Sequence, residues 1–201
     1  MTEQFSPDEI QAIERFLDAG IFLSAEKLAA MSGTTWDIVS SSVQELPVIR
    51  VISMFHQDQE TCYGVHMQSS SALPAQVLVF FKEPSVRRLT AAVVSRSKGL
   101  QGLPEPERAV IPEISNIIGQ AVLKSIADSL KIRLVLSVPA LHVGKKSVIF
   151  TEAIGKLEGH EETAVLMRLD MSSGKVAAEC SLALVLHVKL MSDLIRKASE
   201  A

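Results

Sequence analysis

Two side chains three residues apart, Glu113 and Asn116, carry the most readable chemistry in this 201-residue sequence. Written as a helix at about 100° per residue, the run from Glu113 to Lys131 places Glu113, Asn116, Gln120, Lys124 and Lys131 in one polar stripe. Ile114, Ile118, Val122 and Ile126 fall on an apolar face suited to packing on a sheet. As i,i+3 neighbours, Glu113 and Asn116 project together. A carboxylate can capture a partner's ammonium group, and a carboxamide can both donate to and accept from a water, which fixes that water's position. Asn in a helix interior costs about 0.5 kcal/mol relative to Ala, and a mid-helix glycine such as Gly119 roughly 1 kcal/mol. From geometry alone, the stripe also reads as an ordinary solvated face with one poor helix former.

Other reactive patterns fail on their spacing. Gly144-Lys145-Lys146-Ser147 looks like the end of a phosphate-binding loop, but Pro139 stands where the loop needs its first glycine and no helix is expected to follow. A cationic hairpin turn is the simpler reading. The histidines (His56, His66, His142, His160, His187) form no i,i+4 pair, and Cys62 with His66 supplies two ligands where a metal site needs more. No GxSxG run occurs, and a Cys62–His66 nucleophile pair lacks a third group. Neither a metal nor a cofactor of its own is expected. Trp36 is expected in the core.

Composition narrows the class. The chain is 47% hydrophobic and 21% charged, with 20 basic and 23 acidic residues and a net charge of −3. The length suits one domain or two closely packed halves. The slightly acidic balance gives no footprint for nucleic acid or anionic lipid. Mean hydropathy is +0.26, yet the richest stretch, Val176 to Leu190, is broken by Glu179, His187 and Lys189 and falls short of the ~20 apolar residues that cross a bilayer. MTEQFSPDEI has neither a basic nor an apolar leader segment. Cys62 and Cys180 read as free thiols, and a cytoplasmic location is expected.

The polar stripe must be held by a scaffold, and the scaffold reads as one unit repeated. Ser6-Pro7-Asp8-Glu9 opens a first helix, and Ile10, Ile13, Leu17, Ile21 and Leu28 continue it to Ser32-Gly33. Strands are expected at Thr35–Val39, Val48–Phe55, Cys62–Met67 and Gln76–Phe81, then a helix from Glu83-Pro84 to about Ser97. The stretch from Lys98 to Pro106, with two glycines and two prolines, reads as a linker. A long helix from Glu107 to Leu130 follows, with Pro112 either kinking it or marking its true first turn. Strands are expected at Arg133–Val143, Ser147–Ile154, Thr163–Asp170 and Val176–Val188, turning at Gly144–Lys146, Glu158–His160 and Ser172–Gly174. A last helix spans Met191–Ser199. The run Val77-Leu78-Val79-Phe80-Phe81-Lys82 is echoed by Leu184-Val185-Leu186-His187-Val188-Lys189. These patterns predict an α+β fold: a single domain of two pseudo-symmetric halves, about 1–97 and 107–201 joined by linker 98–106, with a largely antiparallel sheet under two long helices.

The stretch from Glu113 to Pro139 resembles the CheC/CheX/FliY family of chemotaxis phosphatases. Their signature is Ser or Asp, then three residues before Glu, two before Asn and twenty-two before Pro. Glu113, Asn116 and Pro139 stand at those spacings. Lys27 to Gly33 looks similar too, and the length and doubled order suit CheC. The resemblance implies hydrolysis of the phosphoaspartate on a CheY-like receiver domain, with Asn116 orienting the attacking water and Glu113 docking on the receiver lysine. Gln120 and Lys124 would contact the partner. Mg²⁺ would belong to the receiver. A homodimer is allowed; nucleic acid and membrane are not expected partners. The chain departs from the signature at Ala109, where Ser or Asp is usual, and at Gln120, where a small residue is usual. In the first helix, Glu14 takes the acid position but Leu17 takes that of the asparagine, so a second site there is expected to be dead. The competing expectation is a non-catalytic module on the same fold that binds a receiver domain or a flagellar-motor or chemotaxis component.

Overall fold

Ser6 opens the first helix through a capping box: its hydroxyl accepts from the Glu9 backbone N–H at 3.3 Å, and the Glu9 carboxylate accepts from the Ser6 N–H at 2.8 Å. The helix ends at Gly33, whose φ of 69° is the left-handed conformation glycine adopts without penalty. A computed structural model describes residues 5–57, 59–69, 73–155 and 163–199. Its elements are α1 (Pro7–Ser32), β1 (Asp37–Pro47), α2 (Val48–His56), β2 (Thr61–Ser69), β3 (Ala75–Lys82) and α3 (Glu83–Arg96). After a 3-10 turn at Lys98–Leu100 come α4 (Glu107–Leu130), β4 (Ala140–Lys145), α5 (Lys146–Ile154), β5 (Thr163–Ser173), β6 (Ala178–His187) and α6 (Val188–Ser199).

The order helix, strand, helix, strand, strand, helix therefore occurs twice. The sheet confirms that this is a spatial repeat. Its six strands run β1-β5-β6-β3-β2-β4, every pairing antiparallel. Exchanging β1 with β4, β2 with β5 and β3 with β6 turns that order into its own reverse, which is what a two-fold axis between β3 and β6 requires. The fold is α+β, as expected.

Two expected strands are helices. Val48–Phe55 folds as α2 and Ser147–Ile154 lies within α5. β-Branched residues suggest strand in both, but the buried positions recur at helical spacing: Val48, Val51 and Phe55 in one, Ile149, Phe150, Ala153 and Ile154 in the other. Consequently Gly144–Lys146 is no hairpin turn: Gly144 and Lys145 end β4 and Lys146 begins α5. The first strand is longer and later than expected. Of Arg133–Val143, only Ala140 onward joins a continuous strand. The turn expected at Ser172–Gly174 begins at Gly174, and the one at Glu158–His160 lies outside the described residues.

The sheet is covered on both faces, which explains the nearly unbroken apolar text of β3 and β6. Val77, Val79 and Phe81 of β3, with Leu182, Leu184 and Leu186 of β6, face the core beneath α1, α3, α4 and α6. The alternate residues Leu78, Phe80, Ala183 and Val185 face α2 and α5, where Phe55 and Phe150 stack at 3.7 Å between ring centroids. Trp36 is buried, donating from Nε1 to Ser32 Oγ at 3.0 Å. Both cysteines are buried and neither is in a disulfide, Cys62 on the α2/α5 side and Cys180 on the other. Burial, and behind it the Asp170 charge, pushes the Cys180 thiol far above its ordinary pKa. Among the described residues, no helix is long and apolar enough to cross a membrane.

The two long helices touch at backbone level. A Cβ on Gly20 would lie 2.7 Å from Val122 Cα. Ser24 Oγ donates to Gly20 O at 2.8 Å, and Ser125 Oγ donates across the interface to Phe16 O, also at 2.8 Å. Gly20→Ala should therefore lower stability by about 1–3 kcal/mol despite the better helix propensity of Ala, because the neighbour is backbone and must move away. Gly99→Ala, with open space around its Cβ position, should change little. Ile118→Ala, which empties a fully buried site, should cost about 2–5 kcal/mol. Chemical denaturation of the three variants measures this. An undiminished Gly20→Ala protein would mean that α1 and α4 do not approach this closely.

Glu9 supplies a pH dependence. Burial opposes its ionisation, but hydrogen bonds from the Ser6 backbone and the Ser192 hydroxyl (2.8 Å), aided by Arg196, outweigh that and hold its pKa below the ordinary carboxylate value. The folded state thus favours ionised Glu9. Its contribution is complete at neutral pH and is lost as pH falls through the carboxylate range. Glu9→Gln should lower Tm at pH 7 and flatten the fall in Tm toward pH 3; parallel Tm curves would show that this link between α1 and α6 contributes nothing.

Candidate functional site

α4 begins at Glu107 after Pro106 and runs unbroken through Pro112, whose ring nitrogen has no hydrogen to give the Arg108 carbonyl. The helix closes at Lys131. With φ 52°, Lys131 takes the left-handed cap position, where the Lys131 N–H reaches Asp128 O at 3.4 Å and the Ile132 N–H reaches Ala127 O at 3.0 Å. Lys131 therefore turns the chain and does not extend the helical stripe.

Burial fixes the rotation of α4. Ile114, Ile118, Val122 and Ile126 are each at most 1% exposed, as expected for the inward face. Gly119 explains its own cost: a Cβ there would meet Met67 Cε at 2.9 Å, with Val77 and Leu136 side chains at 3.3 Å. The helix sits so low on the sheet that a larger residue there would have to displace the end of the Met67 side chain. Opposite this face, Glu113, Gln120 and Lys124 are exposed and Asn116 is half-buried. Ala109 is exposed one turn before Glu113 and brings no polar group.

Within the stripe the side chains have their own partners. Gln120 Nε2 donates to Asn116 Oδ1 at 2.9 Å. Lys124 Nζ lies 2.7 Å from Asp128 Oδ2, an exposed i,i+4 pair. On α1, the equivalent Glu14 is exposed, but Leu17 is 1% exposed and belongs to the core. Its apolar side chain can neither hold a water nor reach a partner.

Beside the stripe lies a groove of about 440 Å³ between the C-terminal half of α4 and the returning chain. Gln120, Leu123 and Lys124 line it from α4, Ile132 and Leu136 from the returning chain, and Lys27 from α1. The returning segment is pinned to the sheet: Ser137 N–H donates to Gln68 O at 2.8 Å, the Gln68 N–H donates to Ser137 Oγ at 3.1 Å, and Leu136 bridges to Ser69. Val138, 85% exposed, and Val135, 56% exposed, project from it into solvent. Sequence reasoning tied the end of this loop to the site through Pro139 but did not place Lys27 there. Lys27 stands in the segment at the end of the first helix that resembles CheC, and that segment was the available signal.

No known family model matches the sequence. Solved structures match its fold. FliY from Thermotoga maritima aligns over 98% of this chain and 99% of its own, at a TM-score of 0.75 and 15% identity. The FliM middle domain from H. pylori aligns over 96% and 99%, at 0.68 and 8% identity. The chemotaxis protein CheX from Desulfovibrio desulfuricans aligns over 86% and 99%, at 0.59 and 9% identity. The chain has the CheC/CheX/FliY fold.

Proposed function

We propose that this protein removes phosphate from a phosphorylated receiver domain of the CheY kind, Asn116 orienting the attacking water and Glu113 docking on the receiver's lysine. One observation carries the reading: Glu113 and Asn116 face outward together from a helix whose other side is locked into the core. The Glu113, Asn116 and Pro139 spacing, resembling the phosphatase signature, supports the chemistry. The fold shared with CheX and FliY supports the scaffold.

The division of labour follows from the residues. Phosphoryl transfer asks for alignment and charge stabilisation and little covalent work by the catalyst. The phosphoaspartate and the Mg²⁺ that neutralises it belong to the receiver. The Glu113 carboxylate supplies a fixed anion for an ammonium group, and the Asn116 carboxamide supplies both a donor and an acceptor for one water. Gln120 and Lys124 border the contact, and Val135 and Val138 add apolar surface beside it. In this reading the protein works in the cytoplasm and holds no cofactor of its own.

A second reading has its own observations. Ala109 lacks a polar group, Asn116 already has Gln120 as a partner, and the fold is also that of the FliM middle domain. A docking module that binds a receiver domain or a flagellar-motor or chemotaxis component without accelerating hydrolysis would look like this.

Phosphate release from a phosphorylated receiver with Mg²⁺ separates the two. Asn116→Ala should cut turnover by about 10²-fold, the cost of losing one group aimed at the transition state, while leaving binding and Tm unchanged. Glu113→Lys should weaken association about tenfold or more by charge repulsion. Turnover retained in Asn116→Ala removes Asn116 from the mechanism. Binding that is sensitive to Glu113→Lys, without any acceleration by the unaltered protein, supports the docking module. Affinity unchanged by Glu113→Lys excludes the stripe as the contact surface.

A further inference from the structure

We infer that Gln120 gates the site, its side chain and its hydrogen bond partly covering Asn116 in a resting state that opens as a partner docks. The inference rests on the phosphatase reading of Asn116, and it assigns to Gln120 a role in positioning that residue. Gln120 lies one helical turn after Asn116 on the exposed face of α4, and its Nε2 donates to Asn116 Oδ1 at 2.9 Å. A carboxamide oxygen has two acceptor positions. Aligning a water for in-line attack requires the water's hydrogen to meet that oxygen while its lone pair faces phosphorus. Gln120 takes one of that atom's two acceptor positions and fixes the amide's orientation, so the water is left the other position and the geometry Gln120 imposes.

The competition is steric as well as electronic. Reaching back four residues lays the Gln120 side chain along the stripe, over the surface through which Asn116 must enter a partner. Gln120 also borders the groove beside α4, together with Leu123, Lys124 and Leu136, and that groove offers space on the side away from Asn116. Swinging into that groove releases Oδ1 and clears the stripe. A partner segment that occupies the groove and takes up the Gln120 amide would shift the balance toward the open form by its differential contacts there.

Substitutions at Gln120 isolate the hydrogen bond. Gln120→Met keeps the length, the unbranched shape and the helix propensity but has no donor; Gln120→Ala removes the bulk as well. Each should raise kcat/KM for phosphate release from a phosphorylated receiver by about two- to threefold, the bias an exposed i,i+4 side-chain hydrogen bond imposes on two states. The gain must vanish in the double variant Asn116→Ala/Gln120→Met, because the effect runs through Asn116.

Faster release in both Gln120 variants, absent in the Asn116→Ala background, establishes the gate, whether the unaltered protein is itself active or silent. Equal or lower rates in the Gln120 variants, with the unaltered protein faster than Asn116→Ala, overturn the gate and leave the phosphatase standing. Background rates in all of them overturn the gate and the phosphatase together. A gain that persists without Asn116 assigns Gln120 another role and overturns the gate.

Discussion

The seating of α4 is the constraint on which the rest of the structure depends. Gly20 lets α1 come within backbone contact of Val122, and Gly119 lets α4 settle on Met67 and Val77. Ile114, Ile118, Val122 and Ile126 then fill the space beneath it. Side chains on a helix are related by fixed angles, so burying one face sets the direction of every residue on the other. A rotation that moved Asn116 by one position would expose an isoleucine and bury a charge, at several kcal/mol. The precision of the polar stripe is thus set by apolar packing on its far side, and its residues need no mutual contact to keep their direction.

The duplicated architecture offers such a stripe twice, and the second carries both the carboxylate and the carboxamide. α1 and α4 occupy corresponding places over the same sheet. On α1, Glu14 remains exposed while Leu17 has been drawn into the core. Leucine at this position contributes burial where asparagine would contribute a polar tip. The two helices have divided the tasks, one committed to packing and the other divided between packing and presentation. The same sharing explains why two mid-helix glycines are tolerable: the cost of each in propensity is about 1 kcal/mol, and each permits a close approach that buries several large side chains.

Patterns that depend on one helix or one cap were legible in the sequence; those that depend on what lies across the fold were not. Ser6, Pro7 and Glu9 announced the start of α1, Ser32-Gly33 its end, and the spacing of Ile114 through Ile126 announced the rotation of α4. Val48–Phe55 and Ser147–Ile154 misled because β-branched residues carry a strand preference that packing overrides. Both segments cover the sheet face opposite the long helices, and nothing local says that this face needs covering. The left-handed end of α4 at Lys131 lacks the glycine that usually marks it. Of the site, Glu113 and Asn116 could be placed from spacing, but the Gln120–Asn116 hydrogen bond could not. It depends on side-chain torsions on an exposed face, and no residue pattern encodes those.

Under the phosphatase reading, an exposed helix ridge suits a substrate that is itself a folded protein. Enzymes acting on small molecules enclose them, and the enclosure excludes water and orients dipoles. A phosphorylated receiver brings its own cleft, its own metal and its own leaving group, so the catalyst need add only what the cleft lacks. A helix ridge carrying one carboxylate and one carboxamide is sufficient for that, provided both reach past the surrounding surface. The demand on the ridge is then geometric: rigid below, unobstructed above. α4 meets the first requirement through its buried isoleucines. The second is where Gln120 and Ala109 matter, since a single side chain lying along the ridge, or one missing from it, changes what can enter the partner's cleft. Control of such a site needs no distant conformational change. Under the proposed reading, one hydrogen bond between neighbours on the same helix face would tune such a site, because the chemistry there would run through a single amide.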